Sequence, residues 1–492
     1  MTDPGRLFMF GVYGLRPTRS TVSLFKSSGA MGVLLLARNI DTPAQVRAFV
    51  DELEQRVGRP LLVAVDHEGG WVLRFKSGVT AFPGNAALGK AKDPKLAYAV
   101  GRQMARELAP LGIRMNLAPV LDVSTAVYNP GIGMRSFGND PKLAGRLGAA
   151  FTRGLQDHGL SACAKHFPGK GAATVDAHVD LPTIRMPRAA FARIHLLPFR
   201  AAVRAGVDAV MTSHVRFPAF DKVPATFSSR IVRDVLRREF GYDGLVVSDD
   251  LCMGAVARRW PAAQAARMCL DAGHDALMIA HDLQGMRDAV DLLRESAGAG
   301  LVDEAALRGA AERIERLLPR RSADRRADLS RGKSLARVIA EDAVSVERRG
   351  KVRLPIGTDG TLVLVPDFRQ VRERFTFEGG PEQPETLVRR LARGAAAART
   401  PIETTDLGRL DEAVRRAETI LFLCFEARRF PGQAAVLKLL SKKAADRTAT
   451  VLIRSSGDLD LCPEDMTVVD ARGYRLASLE AALRRVLPME KR

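Results

Sequence analysis

At 492 residues with 46% apolar side chains, the chain is too long for one ordinary domain and too apolar to be disordered. Its formal charge of +19 comes with only 6% aromatic residues and with arginines spread over many amphipathic stretches. That pattern excludes a stacking platform for nucleic acid and reads as a solvated basic surface.

Up to about residue 319 the chain alternates short apolar runs with Ala/Leu/Arg-rich helical stretches. The runs are Leu7–Gly14, Gly32–Arg38, Leu61–Asp66, Met115–Val123, Cys163–Gly169, Ala209–Val215, Gly244–Asp250 and Ala276–Asp282. Most have the length and β-branched content of buried parallel strands. Helical patterns such as Asp93–Leu111, Pro141–Gly159 and Arg188–Ala205 lie between them, with Asp140 as cap and Pro141 at the first turn. Eight strand–helix repeats predict an α/β fold, a (β/α)8 TIM-like barrel over 1–319, with a doubly wound open sheet as the competing architecture. A charged, small-residue stretch at 320–335 reads as a linker. Strands at Thr361–Val365, Thr419–Phe425 and Thr450–Ile453 alternate with helices thereafter, so 336–492 reads as a smaller α/β layered domain.

The five cysteines, Cys163, Cys252, Cys269, Cys424 and Cys462, show no metal-type spacing and read as reduced thiols. No leader-like segment opens the chain and no apolar run reaches membrane-spanning length. A cytoplasmic protein with no membrane partner is the expectation, with oligomeric state left open.

Several strand runs end in polar residues, and in a parallel barrel all strand C-termini open on one face. Residues far apart in sequence should therefore converge there. The third run ends in Asp66-His-Glu-Gly-Gly-Trp-Val-Leu-Arg74, where paired glycines permit a tight turn; on its own, the segment reads as a strand-end Asp66–Arg74 salt bridge before it reads as a sugar grip. After the fourth run, Arg135 stands on a long loop. The seventh, Gly244-Leu-Val-Val-Ser-Asp-Asp250, ends in two carboxylates. Successive strand residues face opposite sides, so only one of these can point into the mouth.

The most informative segment is Lys165-His-Phe-Pro-Gly-Lys-Gly171 followed by Asp176-Ala-His178. Its glycines and proline mark a loop. Asp176 is spaced to bond one imidazole nitrogen of His178 and leave the other free for proton transfer.

This segment resembles the signature Lys-His-Phe-Pro-Gly-His-Gly-x4-Asp-x-His of the NagZ-type β-N-acetylglucosaminidases of glycoside hydrolase family 3, with Lys170 in place of the second histidine. The Asp66 segment is similar to that family's Asp-x-Glu-Gly-Gly-Arg-Val-x-Arg, with Trp71 for the first arginine. The Ser-Asp-Asp strand end and Leu251-Cys252-Met253 also follow its pattern, where Leu-Ser-Met is more usual. Asp458-Leu-Asp-Leu and Arg472-Gly-Tyr echo the second domain of longer members.

The resemblance implies a retaining β-N-acetylhexosaminidase with no metal or organic cofactor, acting on a terminal β-linked N-acetylglucosamine, a muropeptide of cell-wall recycling being the natural candidate. It implies Asp249 as nucleophile, His178 as acid/base oriented by Asp176, and Asp66, Arg74, Arg135, Lys165 and His166 as sugar-binding residues. The alternatives are a metal-dependent hydrolase using His166, Asp176, His178 and His214, and an inactive sugar-binding member. Phosphorolysis in place of hydrolysis stays open.

Overall fold

The computed structural model describes residues 2–319, 328–371 and 380–488. The chain folds into two compact units, 1–68 with 92–329, and 69–91 with 330–492.

The first unit contains eight parallel strands: β1 (Phe8–Gly11), β2 (Gly32–Leu35), β3 (Leu62–Val65), β4 (Met115–Asn116), β5 (Ser161–Phe167), β6 (Ala209–Thr212), β7 (Leu245–Val247) and β8 (Leu277–Ile279). Each lies inside a predicted apolar run, except that β5 starts two residues ahead of its own. Their order is β7-β6-β5-β4-β3-β2-β1-β8, and a parallel bridge between Val247 and Ala276 links the two ends. This is a (β/α)8 barrel and not an open doubly wound sheet. The strand residues are buried throughout, as expected where helices cover one face and side-chain layers fill the other.

Helix starts follow the local chemistry. Asp93 and Asp140 each precede a helix, Pro94–Leu108 and Pro141–Gln156, and accept hydrogen bonds from backbone N–H groups of the first turn. The predicted helix over Arg188–Ala205 is instead two, Arg188–Ile194 and Leu196–Arg204. Pro198 explains the break, since it has no N–H to give the carbonyl of Ile194.

The second unit holds β9 (Ser345–Arg348), β10 (Thr361–Pro366), β11 (Ala396–Thr400), β12 (Thr419–Cys424), β13 (Thr448–Leu452) and β14 (Thr467–Asp470), in the order β11-β10-β12-β13-β14-β9. All pairs are parallel except β14–β9. Alternate residues build two cores. Val363, Leu421, Leu423 and Val451 pack with the helices Gln383–Leu391 and Leu476–Val486. Leu364, Ile420 and Phe422 pack with Leu410–Arg416 and Pro431–Lys443. Helices therefore cover both faces, the layered α/β arrangement that the sequence predicts.

Two features differ from the expected boundary. Of the linker at 320–335, residues 320–327 lie outside the described residues, and from Leu329 the chain is helical to Ala343. Residues 69–91, read from sequence as part of the barrel, group with the second unit. Gly69 and Gly70 begin that excursion, both left-handed with φ of 81° and 54°, a conformation that glycine adopts without strain. Trp71 then packs on the second unit's core, its ring centroid 4.5 Å from the guanidinium of Arg454. Arg454 is buried and paired with Glu426 at 2.6 Å. A tryptophan presents the electron-rich face such a cation needs, whereas the arginine of the family pattern would set two guanidinium groups together.

Candidate active site

The barrel's strand ends bring most of the predicted residues into one connected set. Lys165, at the end of β5, is 2% exposed and lies 2.5 Å from Asp66 Oδ1 and 2.7 Å from Glu68 Oε1. Arg135 donates to both oxygens of Glu68, at 2.8 Å each, and to the carbonyl of Gly131 at 2.7 Å. A bidentate guanidinium of this kind is both strong and orientationally fixed. Burial opposes charge on Glu68 and Lys165, but the pairing outweighs it. The cations of Arg135 and Lys165 hold the Glu68 carboxyl below its usual range, and Asp66 and Glu68 push the Lys165 ammonium up.

His166 adjoins this cluster. Its Nδ1 is 2.7 Å from Asp122 Oδ2 and its Nε2 is 3.4 Å from Arg135 Nη2. Burial and the cations of Lys170 and Arg135 hold its imidazole well below the ordinary histidine range. The ring is therefore neutral, with Nδ1–H donating to Asp122 and Nε2 accepting from Arg135. The other Asp122 oxygen accepts the backbone N–H of Lys170 at 2.6 Å. The Lys165–His166 and Phe167–Pro168 peptide bonds are cis.

Asp249 and Asp250 part company after β7. Asp250 Oδ1 accepts the backbone N–H groups of Cys252 and Ala280, both at 3.0 Å, and its carbonyl lies 3.0 Å from His214 Nε2. Asp249 Oδ2 instead faces the buried Lys170 ammonium at 4.0 Å. Burial lowers the pKa of that ammonium, with the Asp249 anion opposing.

On the loop after β5, Asp176 Oδ1 accepts both the backbone N–H of His178 at 3.0 Å and, at 2.8 Å, its Nδ1–H. Burial would raise the Asp176 carboxyl, but the bonds from His178 hold it well below the ordinary range. His178 is half exposed, and it is Nδ1, not Nε2, that is engaged with Asp176. Gly131 borders the pair: a Cβ there would lie 3.3 Å from Asp176 Oδ1.

Five carboxylates (Asp66, Glu68, Asp122, Asp176 and Asp249) thus gather with three cations (Arg135, Lys165 and Lys170). Such a mouth favours positive charge developing on a bound reactant. Arg74 belongs to residues 69–91 and so to the second unit. Among the described residues, no group of three or more His, Cys, Asp or Glu side chains is arranged to hold a metal ion. His166, His178 and His214 are engaged separately, with Asp122, Asp176 and Thr226 respectively.

Glu68, Asp122 and Lys170 stand outside the site that the sequence predicts. Glu68 shares the strand-end motif of Asp66, and Asp122 closes the fourth apolar run, so both carry a positional signal. Burial pushes the Asp122 carboxyl up to about 6, against the pull of the Lys170 and Arg135 cations and the backbone N–H groups of Lys170 and His166. Above that pH it is an anion that accepts the His166 Nδ1–H; below it a proton occupies the site and the anion is lost. We expect kcat/KM to fall as pH drops through about 6. Asp122→Asn should lower the plateau roughly 10- to 100-fold, the worth of a hydrogen bond to a charged group, and remove that limb. A limb unchanged in the variant would show that another group produces it.

Residues 5–317 match the glycosyl hydrolase family 3 N-terminal domain. A β-hexosaminidase of Thiobacillus denitrificans is 41% identical over 254 residues, which span 50% of this chain and 70% of that protein. A family 3 β-N-acetylglucosaminidase from Paenibacillus sp. str. FPU-7 matches in structure with a TM-score of 0.90 at 32% identity, over 98% of this chain and 95% of its own. NagZ from Neisseria gonorrhoeae, solved in complex with N-trifluoroacetyl-D-glucosamine, matches with a TM-score of 0.58 at 30% identity, over 68% of this chain and 98% of its own. A family match over most of the chain, joined by relatives aligned over most of their own length, establishes that the chain belongs to glycoside hydrolase family 3.

Proposed function

We propose that the protein is a retaining β-N-acetylhexosaminidase that releases terminal, non-reducing β-linked N-acetylglucosamine, with muropeptides of cytoplasmic cell-wall recycling as its natural substrates. The observation that carries this reading is a carboxylate, Asp249, set at the end of β7 against a buried ammonium, together with a separate Asp176–His178 pair on the loop after β5. The substrate class follows from the relatives, named as β-hexosaminidases and β-N-acetylglucosaminidases.

In this mechanism Asp66, Lys165, His166 and Arg135 hold the sugar. Asp249 attacks the anomeric carbon while His178 Nε2 gives its proton to the departing oxygen, forming a glycosyl–aspartate ester. Asp176 keeps the Nδ1–H oriented and stabilises the charged imidazole before transfer. Neutral His178 then takes a proton from the acceptor as it attacks the ester, and Asp249 leaves as the carboxylate.

A second reading concerns the acceptor. Esterification of Asp249 removes the anion that faces Lys170, leaving a buried cation that an oxyanion could pair with. Product analysis on a β-N-acetylglucosaminide, with and without inorganic phosphate, separates the two. Free N-acetylglucosamine under both conditions is the expected result, N-acetylglucosamine 1-phosphate in the second would establish phosphorolysis, and no turnover in either would remove the proposal.

A further inference from the structure

The chain that follows the candidate nucleophile also grips the loop that carries the imidazole. Beyond Asp249, the Asp250 carboxylate accepts the N–H of Cys252 and turns the backbone toward a short helix, Gly254–Ala257. At its start the N–H of Ala255 donates to the carbonyl of Ala177, the residue between Asp176 and His178, at 3.0 Å. Ala177, Met253 and Ala255 are buried together in a small apolar cluster of their own, with Leu181 packed against it. Arg259 then donates to Asp180 Oδ1 at 2.7 Å.

Gly254 lies at the closest approach. A Cβ there would sit 2.6 Å from the carbonyl oxygen of His178 and 2.9 Å from that of Val179. Both are backbone atoms, so they cannot yield without moving the loop. The φ of Gly254 is not positive; what the glycine supplies is room, not an unusual backbone angle.

We propose that Met253–Arg259 is a clamp that positions the acid/base loop, with Gly254 and the Ala255 N–H as its positioning elements. It ties His178, on the loop after β5, to the strand end that carries Asp249, and it rests on the roles given above to those two residues. His178 is half exposed and its side-chain bond to Asp176 stays within the same loop, so nothing in that pair alone fixes its place over the sugar. The clamp supplies that registration, and a misplacement of about 1 Å can cost 10²-fold in rate.

The test uses full-length Gly254→Ala and Arg259→Ala, measured on a β-linked N-acetylglucosamine disaccharide and on the dinitrophenyl glycoside. The first needs a proton for its leaving group and the second hardly does. Gly254→Ala should lose on the order of 10²-fold in kcat on the disaccharide, with cleavage of the dinitrophenyl glycoside in the first step changed only a few-fold. Inhibition by free N-acetylglucosamine should be unchanged, because the sugar-holding residues are untouched. Arg259→Ala should show the same pattern at smaller size. A purely structural role would depress both substrates together, so equal losses overturn the clamp, as does an unchanged ratio in either variant. If Gly254→Ala does not fold, Arg259→Ala alone decides. Should His178→Ala show the leaving-group dependence and the clamp variants not, the clamp fails while the mechanism stands; should His178→Ala lack it, the mechanism itself fails.

Discussion

Replacing Asp249 with alanine should abolish turnover of p-nitrophenyl β-N-acetylglucosaminide, by about 10⁴-fold or more, while the protein stays folded. Losses of that order follow when a nucleophile acting as part of a unit is removed. The Asp249 carboxylate accepts the N–H of its own neighbour, Asp250, at 2.9 Å and faces the buried Lys170 ammonium; the Asp122 and Asp176 carboxylates still favour that cation when Asp249 is gone, so the variant folds at some cost in thermal midpoint. Asp250→Ala should behave in the opposite way. It strands the N–H groups of Cys252 and Ala280, and a buried donor left unpaired costs about 1–3 kcal/mol. The thermal midpoint should drop while sugar binding persists. Activity measured beside thermal unfolding for both variants checks this; near wild-type turnover in Asp249→Ala would remove the mechanism.

The second large effect is a dependence on leaving group in His178→Ala. An imidazole donor matters most when the departing oxygen is basic, as in a disaccharide, and least for dinitrophenolate. Removing a general acid typically costs about 10²–10⁴-fold. The disaccharide should show that loss, and the dinitrophenyl glycoside a much smaller one in its first step, with glycosyl–enzyme accumulating because the base for the second step is also gone. Asp176→Ala should move the same way but less far, since it acts through the 2.8 Å bond to His178 Nδ1. Equal losses on both substrates would pass the donor's role to another group.

The barrel was legible in the sequence because its strands are buried on both faces and appear as uninterrupted apolar runs such as Leu62–Val65 and Ala209–Thr212. The second unit was half legible for the same reason. Its strands β10, β12 and β13 were readable, while the edge strands β11, Ala396–Thr400, built of small alanines and largely exposed, and β9, Ser345–Arg348, mostly polar and partly exposed, gave no period to detect. The excursion of residues 69–91 was invisible because the contact between Trp71 and Arg454 spans most of the chain.

At the site, residues sharing one short segment are readable together: Asp176 with His178, and Lys165 with His166. Glu68 shares a motif with Asp66, but the partner that fixes it is Arg135, 67 residues further on. The burial of Lys170 beside Asp249 is likewise a tertiary fact, whereas the helix break at His195 follows from Pro198 and was open to reading in the sequence. In sequence Lys170 is only a departure from a family pattern; in the fold its ammonium faces the candidate nucleophile.

The most direct test of the central claim is to trap the intermediate with an activated 5-fluoro N-acetylglucosaminide and locate the added mass by peptide mass spectrometry. The mechanism requires one sugar per chain, carried by the peptide that contains Asp249 and absent from the Asp249→Ala protein. Turnover of the ordinary substrate with no adduct trapped, or an adduct on any other residue, would contradict it.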